Sequence, residues 1–134
     1  MKFRVWDKET KYLDYDVRIT STDKYEKVEV LDAFSEWREI EEPEYILMRG
    51  IGLKDKDGHE IYEGDILTDE GFFENDYWDY AEICFDKDAY TYCIVWKDEG
   101  IIESITNCKD YAIAGNIYED KELLDEVEEW KLKK

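Results

Sequence analysis

One histidine, three cysteines and a large excess of carboxylates are the side chains of this 134-residue chain that could do chemistry. His59 follows Gly58 in a turn-forming run, which places it towards solvent and not beside a nucleophile. Cys84, Cys93 and Cys108 contain no C-x-x-C pair, and one histidine beside them does not give the usual spacing of a zinc site. No G-x-S-x-G, H-E-x-x-H, phosphate-binding loop or dinucleotide fingerprint occurs. Asp and Glu number 37, so a catalytic carboxylate pair could be drawn almost anywhere and carries no information. The run from Asp69 to Asp76 is acidic enough to hold a cation but lacks EF-hand spacing, and reads as a solvated loop. Catalytic, cofactor-binding and metal-ligating residues are therefore all expected to be absent, and the chain is expected not to be an enzyme.

Charge narrows the partners. The formal net charge is −19, and the 18 Lys and Arg form no cluster. Nucleic acid is held chiefly through Lys and Arg on phosphates, so direct binding of DNA or RNA is disfavoured, as is an anionic membrane surface. A protein partner with a basic surface fits better. An odd, sparse set of cysteines suits reduced thiols in a cytoplasm. The start, Met1-Lys2-Phe3-Arg4, turns charged before any apolar stretch develops, so no signal peptide is expected, and no apolar run reaches the length of a membrane helix.

The elements that must position these groups are mostly strands. Aromatic residues make up 16% of the chain, with 11 Tyr and 5 Trp, a load that disordered chains lack. The length suits a single domain, 1–134, with two lobes, 1–48 and 49–134, as a variant of that reading. Val17-Arg18-Ile19 and Val28-Glu29-Val30 alternate with the period of a half-buried strand. Phe3 to Trp6, Tyr12-Leu13, Tyr45 to Met48, Ile66-Leu67, Ile101-Ile102 and Tyr111 to Ala114 are further strand segments. Phe34, Trp37 and Ile40 recur every third residue, which predicts a short helix or turn ending before Pro43. Residues 69–79 read as a long loop in which Tyr77, Trp78 and Tyr80 anchor the chain or an interface. Pairing Asp86 with Thr91 puts Ala81, Ile83, Phe85, Tyr92, Ile94 and Trp96 on one face of a hairpin. The same register sets Cys84 opposite Cys93 as two neighbouring free thiols. Asp120 is placed as an N-cap, followed by Leu123, Leu124, Val127 and Trp130 as the apolar stripe of a C-terminal helix. The fold class is thus mainly β with a C-terminal helix.

Two stretches are distinctive together. The first holds Gly52, Leu53, Lys54, Asp55, Asp57, Gly58, Ile61, Tyr62, Glu63, Gly64 and Asp65; the second holds Gly115, Asn116, Ile117, Tyr118 and Glu119. With Lys2 to Asp7 at the start, the arrangement resembles the YopX family, small proteins carried by phages and prophages of Gram-positive bacteria. The resemblance spans the whole chain. Relatives often carry an aromatic residue and Thr before the Gly-Leu pair, where this chain has Gly50 and Ile51. The resemblance implies a mostly β fold with a small SH3-like barrel in the later half and a phage setting inside a bacterial host cell; it supplies no activity. By their chemistry the motif residues read as structural: glycines for turns, apolar residues for the core, and Asp65 for backbone N–H groups.

The leading functional expectation is a non-enzymatic accessory protein that binds another protein. An acidic mimic of DNA is the sharper version. A carboxylate-based enzyme or small-ligand or cation binder is the alternative from another class, and self-association through strand edges is a third.

Overall fold

Alternation of apolar and polar side chains decides which segments pair. In the computed structural model the described residues are 2–69, 80–97 and 101–123. The chain divides into two compact units, Met1–Gly50 and Ile51–Lys134, and is mainly β.

The first unit contains Phe3–Asp7 (β1), Tyr12–Asp14 (β2), Val17–Ser21 (β3), Glu26–Leu31 (β4), Trp37–Ile40 (β5) and the start of Tyr45–Lys54 (β6). β1 pairs antiparallel with β2 and with β6, and β3, β4 and β5 form a separate three-stranded sheet. Val5 from the first sheet and Val28, Val30 and Ile40 from the second bury together, with Val17, Ile19, Tyr45 and Leu47 around them. The opposite face of β4 carries Glu29, directly across from Arg18 on β3. The Arg18 guanidinium donates twice to the Glu29 carboxylate, at 3.1 and 3.0 Å, and lies 4.4 Å over the Trp37 ring. That stack shields a charged pair on the sheet surface with an aromatic lid.

The three-residue spacing of Phe34, Trp37 and Ile40 does not make a helix. Asp32 Oδ1 accepts the backbone N–H groups of Phe34 and Glu36, both at 2.9 Å, and Ser35 takes φ of 61°, so the chain turns sharply there. β5 then returns beside β4, with Ile40 across from Val28. Only Ile40 is buried; Phe34 and Trp37 face solvent, and three apolar residues that share no face are not a helical stripe.

The second unit contains Glu60–Tyr62 (β7), Asp65–Thr68 (β8), Tyr80–Asp86 (β9), Thr91–Trp96 (β10), Ile102–Ser104 (β11), a 3₁₀ turn at Ile105–Asp110 and Ala112–Asn116 (β12). Its five-stranded sheet runs β11-β10-β9-β8-β12, all antiparallel. The hairpin register is the one read from the sequence, Asp86 across from Thr91 and Cys84 across from Cys93. Ala81, Ile83, Ile94 and Trp96 join Ile61, Leu67 and Cys108 in the core. Phe85 falls near the hairpin tip and is exposed, though its ring meets Tyr92 edge-on at 5.1 Å. Trp96 meets Tyr111 edge-on at 4.9 Å, and the Tyr111 hydroxyl donates to Glu103. The stretch read as a loop, 70–79, and the helical stripe at Leu124, Val127 and Trp130 lie outside the described residues.

Cys84 and Cys93 are free and half-buried. Burial raises the Cys84 thiol to about 12, and the Glu82 carboxylate, which accepts its S–H at 3.3 Å, adds to the rise. A thiol so protonated is a poor nucleophile at neutral pH. Iodoacetamide at pH 8 should modify Cys84 at least about tenfold more slowly in the folded chain than in denaturant. Fast labelling of Cys84 in peptide mass maps of the native protein would contradict this environment.

Candidate binding groove and the motif loops

The residues singled out from the sequence gather around two loops of the second unit, where Asp55, Asp65 and Asn116 are buried while Lys54, Asp57 and Glu119 are exposed. Asp55 follows β6 and is buried. Its Oδ1 accepts the backbone N–H of Asp57 at 2.9 Å and of His59 at 2.8 Å. Its Oδ2 accepts the N–H of Ile113, 58 positions along the chain, at 3.0 Å. Burial opposes the Asp55 charge, but these three N–H groups outweigh it and hold the carboxyl below its ordinary value. Gly58 takes φ of 85° between them, a conformation that a side chain disfavours.

The later motif residues repeat this pattern. Asp65 opens β8, and its Oδ2 accepts the Tyr62 N–H at 2.8 Å. Asn116 sits across from Asp65 in the β12–β8 pairing. Its Oδ1 accepts the N–H groups of Tyr118 and Glu119, and its amide donates to Glu119 Oε1. Asp120 Oδ2 accepts the Asn116 N–H at 3.1 Å, which ties this carboxylate back to the strand end. A Cβ at Gly115 would collide with that carboxylate. Ile117 N–H donates to the Gly64 carbonyl, and Lys56 N–H to the Tyr111 carbonyl. Leu53 packs beside the core that holds Ile61, Tyr62 is buried, and Glu63 accepts the Tyr92 hydroxyl at 3.0 Å. The Lys54 carbonyl accepts the Cys108 thiol at 3.7 Å, and Gly52 lies in β6 with φ of 81°. The two stretches, far apart in sequence, thus form one cross-linked corner.

Asp55, Asp57 and His59 bring ligand atoms within 4.8 Å of one another. A cation there would compete with three backbone N–H groups for the Asp55 oxygens. His59 itself is exposed over 72% of its side chain, with Nδ1 3.6 Å from Asp55. This is the chemistry of a turn staple.

A different site lies in the first unit, and sequence reasoning passed over it. A groove of about 530 Å³ runs between β2 with the segment after it and the β4–β5 turn. Asp14, Asp16 and Asp32 line it, with Tyr12, Tyr15 and Leu13. Tyr12 and Tyr15 are 64% and 56% exposed, and Phe34, in the β4–β5 turn, is 86% exposed. Arg38 is the single basic residue of the lining, and its guanidinium donates to the buried Asp7 at 3.2 Å. Asp7 also accepts the N–H groups of Glu9 and Thr10, which fixes the β1–β2 turn at the groove's end. Partial burial pushes the Asp14 carboxyl up, and the charges of Asp7 and Asp16 push it further, against the pull of Arg38. Neither Asp14 nor Asp16 has an ion-pair partner among the described residues. The signal in the sequence was the run Tyr12-Leu13-Asp14-Tyr15-Asp16, where aromatic and acidic residues interleave.

The family model of the YopX protein matches residues 2–125. The crystal structure of protein EF1440 from Enterococcus faecalis is similar in fold, with a TM-score of 0.60 and 26% identity over 92% of this chain and 96% of that one. A comparison with curated proteins gives no match.

Replacing Asp55 by Ala strands three backbone N–H groups in a buried corner and should cost roughly 2–4 kcal/mol in urea unfolding. The Asp55 carboxyl is lowered in the folded chain, so its contribution is full above its ordinary value of 3.8 and fades as pH falls through the folded value. The gap between wild type and D55A should therefore narrow in acid; a gap constant down to about pH 2 would show that the charge is not what matters. Millimolar Ca²⁺, Mn²⁺ or Zn²⁺ should leave the melting temperature unchanged, whereas a rise abolished by Asp57→Asn would assign the turn to a cation.

Proposed function

The chain belongs to the YopX family, and from that premise we propose that it acts by binding another protein and not by catalysis. The observation that carries this reading is the groove of the first unit. Three carboxylates line it, its guanidinium is already engaged by Asp7, and aromatic rings stand exposed beside it. A surface left acidic in a chain of net charge −19 attracts a basic partner through long-range Coulomb forces. The motif residues support the same division of labour, because their polar atoms hold loops together. The phage setting, the bacterial cytoplasm and a small SH3-like barrel built on the five-stranded sheet belong to this reading. In it the protein is an accessory factor that occupies a basic surface on a host or phage protein.

The test is affinity capture from bacterial lysate with the full chain as bait. A discrete basic protein should be retained at low salt and released as ionic strength rises, since exposed charge pairs are screened beyond a Debye length of about 10 Å at 0.1 M. Recovery of no specific protein at either ionic strength would count against a binding role.

A further inference from the structure

We propose that the groove between β2 and the β4–β5 turn seats an arginine side chain from an extended basic segment of the partner. This rests on the protein-binding reading and assigns that reading a place and a chemistry. Charge complementarity selects a cation. Asp14 and Asp16 both line the groove, and no ion pair among the described residues engages either of them. Repulsion between Asp14 and its neighbours Asp7 and Asp16 is relieved when a cation enters. The one guanidinium in the lining is bonded to Asp7 and reaches Asp14 through its charge alone.

The aromatic residues select the kind of cation. Tyr12 and Tyr15 flank Asp14 in sequence, line the groove and are exposed. A planar guanidinium stacks on such rings while its N–H fork reaches a carboxylate, which an ammonium does less well. The same unit already holds an arrangement of this kind, since Arg18 lies over Trp37 while it donates twice to Glu29. The volume of about 530 Å³ exceeds a single side chain and leaves space for flanking backbone. β2 ends its sheet, so a neighbouring extended segment would lie along an available edge.

A capped hexaarginine peptide is the probe, titrated into the full chain at moderate salt, with hexalysine and the neutral isostere hexacitrulline beside it. Hexaarginine should bind more tightly than hexalysine, and hexacitrulline should not bind. The double variant Asp14→Asn/Asp16→Asn should weaken hexaarginine by about tenfold or more. The pair Asp88→Asn/Asp110→Asn removes the same charge from exposed positions of the second unit and should change affinity less than about twofold. Tyr12→Ala, a substitution at an exposed ring, should weaken binding by about threefold and tests the groove without touching a charge. Equal losses from the two double variants would overturn the groove in favour of net charge, as would hexaarginine that does not saturate or a Tyr12→Ala affinity equal to wild type. Lysate capture separates the two readings. Partner recovered equally by wild type and by the Asp14/Asp16 variant overturns the groove alone, whereas wild type recovering nothing overturns protein binding itself.

Discussion

The Asp55 carboxylate is the constraint on which the second unit turns. A carboxylate with two oxygens can close a loop and reach another strand at once, and Asp55 does both. One oxygen caps the turn through Asp57 and His59, and the other holds Ile113 at the start of β12. Without the bond to Ile113, β12 would be fixed chiefly by its pairing with β8, and that ladder is interrupted between Ile113 and Gly115. A buried charge is costly unless backbone donors surround it, and two of these donors are supplied by the loop that the charge itself organises, the third by β12.

The corner beyond it is built the same way from Asp65, Asn116 and Asp120. Each commits a short side chain to main-chain N–H groups that a strand end or tight turn would leave unpaired. A motif so rich in acidic and amide groups thus commits its buried members, Asp55, Asp65 and Asn116, to the backbone. In the groove of the first unit, by contrast, Asp14 and Asp16 accept no such backbone donors among the described residues. A carboxylate bound to the backbone and one left to solvent look alike in a sequence, and only their hydrogen bonds tell them apart.

Much of the sheet architecture was legible beforehand, for a physical reason. In the β9–β10 hairpin a shift of one residue would have turned Ile83 and Ile94 to solvent, so one register stood out, and it is the one observed. Where side chains bond to the backbone, periodicity misleads. Phe34, Trp37 and Ile40 suggested a short helix or turn; the turn forms around Asp32, and a strand, not a helix, follows it. The strand read from Tyr45 to Met48 is longer in the structure, where β6 continues through Gly50, Ile51 and Gly52 to Lys54. The groove was missed because it joins residues from β2 and the β4–β5 turn, and no spacing in the chain announces that meeting.

The long reach of the Asp55 bond also bears on how the chain emerges from a ribosome. Every strand partner within the first unit is in place once Gly50 has been made, since β6 pairs back to β1 by Arg49. The second unit has no such early closure. Its turn at residues 55–59 and the edge of β8 must wait for Ile113 to Asn116, some fifty residues later, before the backbone groups they reserve are met. During that interval Leu67 lacks the strand that completes its sheet, and nascent β-segments of this kind are open to wrong pairing. The dense negative charge around them gives such intermediates mutual repulsion, a solubilising role that operates before any partner is met.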